Sequence, residues 1–354
     1  MNKTMKAIVI EKPCSANELK ISEIPVPKIK SGHVLIKINA FGINRAEIFT
    51  RNGLSPSVEF PRVIGIECTG IIEDPSDSHF KKGDKVFTLM GGLGREFDGS
   101  YAEYTLVPEN QVYPLQLPEE NWEILAAYPE LYYTAYGSLF KSLKLQNDET
   151  LLIRGGTGSV ALAAMQLAKS INVKTVATTR DEQKIEFLKE NGADYVIIEN
   201  DNFENQLKSY FPQGIDKVLE LIGAGTLKSS LKSLKQGGTV CMTGCLGGWI
   251  VDSFEPLVDI PSESYLTSFD STTVNKDTIR DMFDFIEKYN IAVYDEINHR
   301  GLVRNVLIRK GFATGELMVC IVINGDKLPH SNKLVDSLLK AAKIKSISYN
   351  VNTA

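Results

Sequence analysis

The first 125 residues alternate short apolar runs with turn residues. Five runs rich in β-branched and aromatic residues lie at 5–11, 34–43, 62–73, 85–90 and 100–107, separated by clusters of Pro, Gly and Asp. Runs of this length and composition are typical of β-strands. A helical period interrupts them only around residues 44–51. The pattern therefore predicts a compact, mostly antiparallel or barrel-like β domain over residues 1–125.

From about residue 122 the pattern changes to strands that alternate with helices. Six short apolar runs follow a partly helical stretch, and they lie at 151–156, 173–179, 195–200, 217–223, 239–244 and 264–269. Their β-branched composition fits strands that are buried on both faces. The alternation predicts an α/β fold: right-handed βαβ units that form a doubly wound parallel sheet over residues 126–270, followed by a returning helix at 271–293.

Composition and charge restrict the location and the partners. No apolar run approaches the roughly 18 to 20 residues that cross a bilayer, and the N-terminus has no signal-peptide pattern. Five cysteines without disulfide-framework spacing predict a reducing, cytoplasmic location. The net charge of −5 argues against a general nucleic-acid surface. It is uneven, because the chain carries +4 from residue 295 onward and −9 before it.

A glycine-rich segment follows the first strand of the predicted sheet and opens a helix. Gly156, Gly158 and Ala161 fit the pattern G-x-G-x-x-G/A. We expect these three residues to allow, in turn, a tight turn, the approach of a pyrophosphate and close packing of helix on strand. Backbone N–H groups at the helix start would bind the diphosphate. The predicted cofactor-binding residues are Gly155, Gly156, Thr157, Gly158, Ser159 and Val160.

The end of the second strand of that sheet bears on the choice between NAD and NADP. The strand ends in Thr179 and Arg180, and Lys184 follows one helical turn later. Hydroxyl and cationic groups suit a 2′-phosphate, so these three residues favour NADPH. Asp181 is the counter-argument, because a carboxylate near this point would bind a ribose hydroxyl of NAD. Its alternative role is to cap the helix that carries Lys184.

Six motifs occur in order over about 290 residues. They are GINRAE at 42–47, PRVIGIE at 61–67, GDKV at 83–86, GSYAEY at 99–104, YTAYG at 133–137 and NGADYVI at 191–197. Together they resemble the zinc-independent, quinone oxidoreductase-like branch of the medium-chain dehydrogenase/reductases. The resemblance implies a GroES-like β domain followed by a Rossmann domain. It also implies pairing into a homodimer through the edge of the nucleotide-binding sheet.

Departures from the zinc-dependent members of that family predict the mechanism. Those members place a cysteine just after the glycine of the Gly42 segment and a histidine where Ile66 stands. No cysteine lies between residues 87 and 101, where the structural zinc lobe would be, and the four histidines form no spacing pattern. Cys241 and Cys245 are the only close pair and fit core or loop thiols. We therefore expect no zinc and no other metal.

Without a Lewis acid, a simple alcohol is a poor substrate, whereas a quinone or an α,β-unsaturated carbonyl already accepts hydride. The sequence predicts a zinc-free NADPH-dependent reductase of such a small molecule, with the final proton taken from solvent. An NAD-linked alcohol or aldehyde dehydrogenase-like enzyme is the first alternative. The second is a non-catalytic chimera that binds nucleotide or RNA.

Two residues are the predicted catalytic groups. Asn44 corresponds to the family position near the nicotinamide and would donate a hydrogen bond to the substrate carbonyl. Its alternative role is to stabilise a turn. Tyr265 is the other candidate and Tyr133 a lesser one, with core packing as the alternative for both. The remaining predicted cofactor contacts are Thr134, Ile222, Thr243 and Gly244, the last two at the carboxyl edge of the sheet.

The resemblance ends after Tyr289. Residues 294–354 instead read as a strand at 302–311, a turn at 312–315, a strand at 316–325, a helix at 331–342 and a strand at 346–351. Short motifs at 301–304, 308–311, 314–316 and 324–325 resemble the central part of bacterial 23S rRNA uracil-5-methyltransferases. The methyl-donor and nucleophilic-cysteine segments of that family are absent, so we expect neither methyl transfer nor nucleic acid as the partner.

Two explanations of this tail stay open. The chain is either a fusion or frame-joining product whose reductase half lost its natural end, or its last helix and strand replace the missing return element. The second explanation predicts a partial replacement and a reductase of reduced stability.

Overall fold

The computed structural model describes residues 3–56, 58–117, 121–289 and 291, together with the backbone of three strands at 303–310, 317–323 and 344–351. The chain forms two compact units, Met1–Val293 and Tyr294–Ala354. Among the described residues, no helix combines the length and the apolar character needed to cross a membrane.

The first half of the larger unit is built from antiparallel strands. They are β1 (Thr4–Ile10), β2 (Ile21–Pro25), β3 (His33–Ala40), β4 (Arg62–Val63), β5 (Glu67–Asp74), β6 (Lys85–Leu89), β7 (Tyr104–Pro108) and β8 (Tyr113–Pro114). They form a sheet in the order β2-β1-β4 and another in the order β7-β3-β5-β6-β8. One helix, α1 (Arg45–Arg51), lies between β3 and β4, where the helical period predicts it. This is the GroES-like domain that the resemblance implies.

The second half contains a six-stranded parallel sheet. Its strands are β9 (Thr150–Arg154), β10 (Lys174–Thr179), β11 (Tyr195–Ile198), β12 (Ile215–Glu220), β13 (Leu234–Met242) and β14 (Tyr265–Ser268). The order is β11-β10-β9-β12-β13-β14, with every neighbouring pair parallel. The direction of the chain order reverses between β9 and β12, and ligands bind such sheets at that point. The predicted Rossmann sheet is confirmed.

The helices around this sheet follow the predicted alternation. They are α2 (Trp122–Leu125), α3 (Pro129–Tyr136), α4 (Ser159–Ser170), α5 (Ile185–Glu190), α6 (Phe203–Tyr210), α7 (Ala224–Lys232), α8 (Pro256–Asp259) and α9 (Lys276–Lys288). Pro129 occupies the first turn of α3, after the break that separates α3 from α2. Proline is tolerated there because that turn has no intrahelical acceptor for its N–H groups.

Helix α3 lies where the two halves meet. Phe87 and Leu89 of β6 belong to the same buried apolar cluster as Tyr132 and Tyr133 of α3 and Leu151 of β9. A continuous core of this kind holds the two halves together, since burying apolar side chains is the main stabilising term in folding. Polar groups on α3 are therefore positioned against both halves at once.

In the smaller unit, the described residues form three strands: β15 (Val303–Lys310), β16 (Leu317–Ile323) and β17 (Ile344–Val351). Strands β15 and β16 are antiparallel, with Lys310 opposite Leu317, and β17 pairs with β16 in parallel. These strands lie where the sequence predicts strands. The turn at 312–315 and the helix at 331–342 are outside the described residues.

Candidate functional site

The glycine-rich loop after β9 lies against β10. Gly155 has φ +79°, and its N–H donates to Oγ1 of Thr178 at 3.1 Å. The N–H of Gly156 donates to the carbonyl oxygen of Thr178 at 2.8 Å. A Cβ on Gly156 would lie 2.9 Å from Cβ of Ala177. Gly155 therefore makes the tight turn that we had expected of Gly156, while Gly156 allows the loop to approach β10.

The start of α4 offers backbone donors to an anion. Gly158 caps the helix without a side chain, and Thr157, Gly158 and Ser159 are exposed. The first N–H groups of an α-helix, here those of Ser159 and Val160, have no intrahelical acceptor. Ala161, by contrast, is fully buried, as its predicted packing role requires. This loop has the donors and the space that a diphosphate requires.

A buried carboxylate positions the next two loops of this edge. One side-chain oxygen of Glu220, Oε1, accepts from the N–H groups of Ile222 at 2.8 Å and of Gly223 at 3.0 Å. Its backbone oxygen accepts from the N–H groups of Thr243 and Gly244, both at 3.0 Å. A Cβ on Gly244 would lie 2.0 Å from the carbonyl oxygen of Leu221. Glu220 thus holds the backbone of three predicted cofactor contacts, which are Ile222, Thr243 and Gly244.

An ion pair supports the same edge from within the domain. The guanidinium of Arg154 pairs with Glu199 and donates to Oγ of Ser229 at 3.0 Å and of Ser230 at 3.1 Å. Ser230 in turn donates to Oε2 of Glu220. The network thus links Arg154 of β9 through Ser230 to Glu220 of β12, and each of these polar groups has a hydrogen-bond partner.

Two cations and a capping carboxylate follow β10. Arg180 and Lys184 are exposed. Within the described part of the chain, neither forms an ion pair with a carboxylate. The side chain of Asp181 accepts from the N–H of Gln183 at 3.0 Å and caps the short helical turn that carries Lys184. Thr179 is buried, and its Oγ1 accepts from the N–H of Asp181 at 3.1 Å.

Polar side chains along α3 lead from the sheet edge toward the GroES-like half. Oγ of Ser138 lies 2.9 Å from Oγ1 of Thr243 and donates to the backbone oxygen of Thr134 at 2.7 Å. Oγ1 of Thr134 donates to Oε1 of Glu130 at 2.9 Å. Glu130 and Thr134 are four residues apart and share one face of α3. Ser138 follows in the π-helical segment Gly137–Ser142, which continues directly from α3.

Asn44 lies at the other end of this polar line. Its Nδ2 donates to Oε1 of Glu67 at 2.7 Å, and its backbone N–H donates to Oε2 of Glu47 at 2.7 Å. The N–H of Glu130 donates to the second side-chain oxygen of Glu67, Oε2, at 2.8 Å. Gly42 permits the arrangement, because a Cβ there would lie 2.1 Å from Oε1 of Glu67. Asn44 therefore caps α1 and also reaches the centre of the site.

Burial makes the carboxyl groups of this cluster weaker acids than exposed carboxyl groups. It raises the pKa of Glu67 to about 8, with repulsion from Glu130 as the second cause. It also raises the pKa of Glu130 to about 7, against hydrogen bonds from Ser271 and Thr134 that lower it. Burial likewise raises the pKa of Glu47. Since two carboxylates in one dry site cannot both be charged at low cost, Glu67 and Glu130 titrate as a coupled pair.

Glu67 and Glu130 are functional candidates that the sequence analysis missed. Glu67 is the last residue of the motif PRVIGIE at 61–67, and Glu130 lies in a stretch of aromatic and apolar residues. Both are more than nine-tenths buried. A carboxylate inside a mainly apolar segment was the available signal, because such residues are rarely buried without a partner.

The structure brings together most of the predicted residues but not the tyrosines. Tyr265 begins β14 opposite Thr239, about 10 Å before the carboxyl end of that strand at 3.3 Å per residue, and it is 62% exposed. This position and exposure favour a surface role for Tyr265 over the catalytic role that the sequence predicts. Tyr133 is buried, and its hydroxyl accepts from the N–H of Asn275 at 2.9 Å, which fits the packing alternative.

The side chains at the former zinc positions do not form a metal site. Ile66 is apolar and buried, and Asn44 and Glu67 are bonded to each other. Across the residues that the structure describes, no group of three or more His, Cys, Asp or Glu side chains is placed to hold a metal ion. Cys241 is buried and its Sγ lies 3.5 Å from Oγ1 of Thr243, which fits the expected core thiol.

An aromatic pair spans the two halves of the larger unit. Phe49 of α1 contacts Trp249, in the loop after β13, edge to face with ring centroids 5.2 Å apart. Trp249 and its neighbours Leu246 and Ile250 are largely exposed, as is Ile43. A planar apolar molecule would find stacking surfaces here.

Comparison with known proteins agrees with this architecture. Residues 30–118 match the model of the alcohol dehydrogenase GroES-like domain, and residues 159–288 match that of the zinc-binding dehydrogenases. The chain is 33% identical to human (Homo sapiens) quinone oxidoreductase over 277 residues, 76% of this chain and 82% of that protein. It is 34% identical to the mouse (Mus musculus) quinone oxidoreductase over 254 residues, 69% and 75% of the two chains.

A solved structure shares the fold. The mycobacterial protein Rv1454c, complexed with NADPH, superposes with a TM-score of 0.72 and 26% identity over 82% of this chain and 90% of that chain. The match extends across both halves of the larger unit, as do the matches to the quinone oxidoreductases. The chain therefore belongs to the medium-chain dehydrogenase/reductase family of oxidoreductases.

Proposed function

We propose that the chain is a zinc-free, NADPH-dependent reductase of quinones or α,β-unsaturated carbonyls. The observation that carries this proposal is the polar line from Thr243 through Ser138, Thr134 and Glu130 to Glu67 and Asn44. It runs between the phosphate-binding half and the GroES-like half. A carbonyl substrate bound along this polar line would have hydrogen-bond donors on one side and, on the other, the edge of the sheet where the cofactor binds.

The residues present fit a nicotinamide cofactor. The diphosphate would lie at Gly155, Gly156, Thr157 and Gly158, and the nicotinamide end near Ile222, Thr243 and Thr134. Arg180 and Lys184 would bind the 2′-phosphate, because both are exposed cations while Asp181 is engaged as a cap. When bound, the cofactor supplies a hydride. The NADPH seen with the mycobacterial neighbour supports this choice.

The protein's own side chains orient the acceptor. The amide nitrogen Nδ2 of Asn44 has two hydrogens and gives one to Glu67, so the second can be donated to a substrate carbonyl. Phe49 and Trp249 would stack on a flat ring. Both groups act by positioning and by excluding water, which suits an acceptor that is already electrophilic. The quinone oxidoreductases among the relatives support a quinone.

Stopped-flow oxidation of NADPH and NADH against a panel of quinones, enones and aldehydes tests the proposal. We expect NADPH oxidation with quinones or enones. Faster turnover of NADH with aldehydes would favour the NAD-linked alternative. Binding of NADPH without hydride transfer to any acceptor would favour the non-catalytic chimera.

We extend the proposal to the domains, assembly and location. We place the GroES-like domain at 1–125, the Rossmann domain at 126–270 and the return helix at 271–293, in a cytoplasmic homodimer. Strand β14 is the last of its sheet, and Leu257, Val258 and Tyr265 nearby are exposed. An exposed apolar strand edge is a typical pairing surface. Light scattering of the purified chain would give its mass; a monomer at micromolar concentration would contradict the dimer.

The unit from residue 294 is proposed to be a piece of other ancestry that lacks methyl transfer. Its three described strands are compatible with the methyltransferase-like resemblance but do not identify it. Its basic charge raises the question of RNA contact. Titration of the full chain with a 23S rRNA fragment tests this, and we expect no binding that survives physiological salt.

A further inference from the structure

The candidate site contains buried carboxyl groups that the proposed hydride transfer does not itself use. Glu130 is the most informative of them, because its two oxygens differ. Oε1 accepts from Oγ1 of Thr134 at 2.9 Å and from Oγ of Ser271 at 2.7 Å. Oε2 is buried and has no hydrogen-bond partner among the described residues. A bare anionic oxygen in such a place is costly, whereas a protonated one is not charged.

Glu67 is arranged in the opposite way. Both of its oxygens accept hydrogen bonds, Oε1 from Nδ2 of Asn44 and Oε2 from the N–H of Glu130. That N–H belongs to the first turn of α3, where the helix dipole favours a negative charge. The hydrogen-bond pattern therefore places the charge on Glu67 and the proton on Oε2 of Glu130. With Glu130 neutral, the repulsion that raises the pKa of Glu67 disappears.

The surrounding charges do not reverse this assignment. Glu130 faces Glu47 of α1, Glu67 of β5, Arg95 of the loop after β6 and Tyr133 of α3. Arg95 lowers the pKa of Glu130, but this is the smallest of the named causes, and burial is the largest. The pKa of Glu67, about 8, lies above that of Glu130, about 7, but it includes repulsion from a charged Glu130. Once Glu130 carries the proton that repulsion is gone, and the two hydrogen bonds to Glu67 favour the charge there.

We propose that Glu130 holds the proton that completes the reduction, and that the Thr134 hydroxyl passes it to the substrate. The inference rests on the proposed function and replaces the expectation that this proton comes directly from solvent. Thr134 is one hydrogen bond from Glu130 and also accepts, at its backbone oxygen, from Ser138, the neighbour of Thr243 at the sheet edge.

The step balances in atoms and charge. The two electrons of the hydride come from the reduced nicotinamide, which is oxidised, and they reduce the acceptor to an enolate or a hydroquinone anion. The Oγ1–H bond of Thr134 breaks, and its proton forms the new C–H bond at the α-carbon of an enone or the O–H bond of a quinol. As the Thr134 hydroxyl turns from Oε1 of Glu130 to the substrate, rotation of the Glu130 carboxyl brings its own proton to Oγ1. That proton replaces the one passed on and leaves a Glu130 carboxylate. Water reprotonates Glu130 for the next cycle.

Infrared spectroscopy of the cofactor-free chain tests where the proton lies. A protonated carboxyl has a carbonyl stretch separate from that of a carboxylate, and it shifts in D₂O. We expect this band in the wild type at pH 7, its loss in Glu130→Gln and its retention in Glu67→Gln and in the surface control Glu109→Gln. A band that survives in Glu130→Gln and disappears in Glu67→Gln would overturn the proposal.

Enone reduction in D₂O tests delivery of the proton. We expect the wild type to place deuterium on one face of the α-carbon. Glu130→Gln should lower kcat by about 100-fold, as for loss of a general acid, and should scramble the deuterium, while its Kd for NADPH stays unchanged. Glu109→Gln should behave like the wild type. Undiminished, stereospecific labelling by Glu130→Gln would refute the delivery step.

Failure of the proposed function would be distinguishable from failure of this step. A wild-type chain that reduces no acceptor overturns the function and the delivery together, while the infrared measurement still decides which carboxyl holds the proton. Circular dichroism identifies a variant that does not fold. In that case the pH titration of the carboxyl band in the wild type serves as the test, and a band that is absent at pH 6 would overturn the assignment.

Discussion

The backbone N–H of Glu130 donates a 2.8 Å hydrogen bond to Oε2 of Glu67, across the meeting point of the two halves of the larger unit. The donor is an otherwise unpaired group in the first turn of α3, and the acceptor begins strand β5 of the GroES-like half. A helix start and a carboxylate stabilise each other. This contact fixes α3, and with it Thr134, relative to Asn44.

The coupled carboxyls predict a stability that depends on pH. Their folded pKa values lie above the ordinary value of about 4.3 for Glu, so the native state binds more protons than the unfolded state at intermediate pH. Stability from these groups is full below that ordinary value and is lost as pH rises through about 7 to 8. Urea denaturation between pH 5 and 9 should show the decline, and Glu130→Gln should reduce it. An equal decline in the variant would contradict the assignment.

Gly156→Ala should destabilise the fold and weaken cofactor binding. The new Cβ would meet Cβ of Ala177 at 2.9 Å, and overpacking of this kind costs about 1–3 kcal/mol. Gly158→Ala is the matched control, because its Cβ would meet only the backbone oxygen of Gly155 at 3.6 Å. Thermal melting should show the larger loss for Gly156→Ala; equal losses would show that the close approach to β10 does not matter.

Arg180→Ala and Lys184→Ala should each weaken NADPH binding by about 10-fold and leave NADH binding unchanged, because a hydrogen bond to a charged group contributes about 1.5–3 kcal/mol. Asp181→Asn tests the competing role of this segment, since Asn is an equally good helix cap. If Asp181 only caps, its variant binds NADPH as the wild type does. Weaker NADH binding in Asp181→Asn would instead indicate that Asp181 binds the ribose hydroxyls of NAD. Isothermal titration measures all three.

Asn44→Ser separates the side-chain amide from the capping role at that position. Ser retains the N-cap preference of α1 but loses the amide that bonds to Glu67. We expect kcat/KM for the acceptor to fall by up to about 10-fold, the worth of one neutral hydrogen bond, and the melting temperature to fall because the buried Oε1 of Glu67 loses its donor. The affinity for NADPH should be retained. Unchanged kcat/KM would reduce Asn44 to a structural cap.

Saturating NADPH should raise the melting temperature of the full chain. Binding to the native state at 100 times Kd stabilises it by about 2.7 kcal/mol. The measurement also tests the two explanations of residues 294–354. If the reductase half had lost its return element without a replacement, it would bind NADPH poorly. A melting temperature that does not move at saturating NADPH would show that the cofactor site is not intact.

The sequence alone determined the two-domain architecture and the position of the phosphate loop. Alternation of short β-branched runs with helical segments is a local pattern, and six such runs suffice to predict the parallel sheet that β9 to β14 form. The motif at Gly155 to Ala161 is likewise local, because turn, helix start and small residues are neighbours in the chain. Asn44 could be named through the family motif.

Only the tertiary structure decided how the chemistry is assembled. Glu67 and Glu130 are 63 residues apart, and neither pairing nor burial follows from the spacing of either one. Their raised pKa values arise from the apolar surroundings that packing creates, which no local pattern records. The same holds for the position of Tyr265 at the start of β14, which depends on its strand register against β13. Local periodicity determines elements, whereas a site made of distant side chains exists only once those elements are packed.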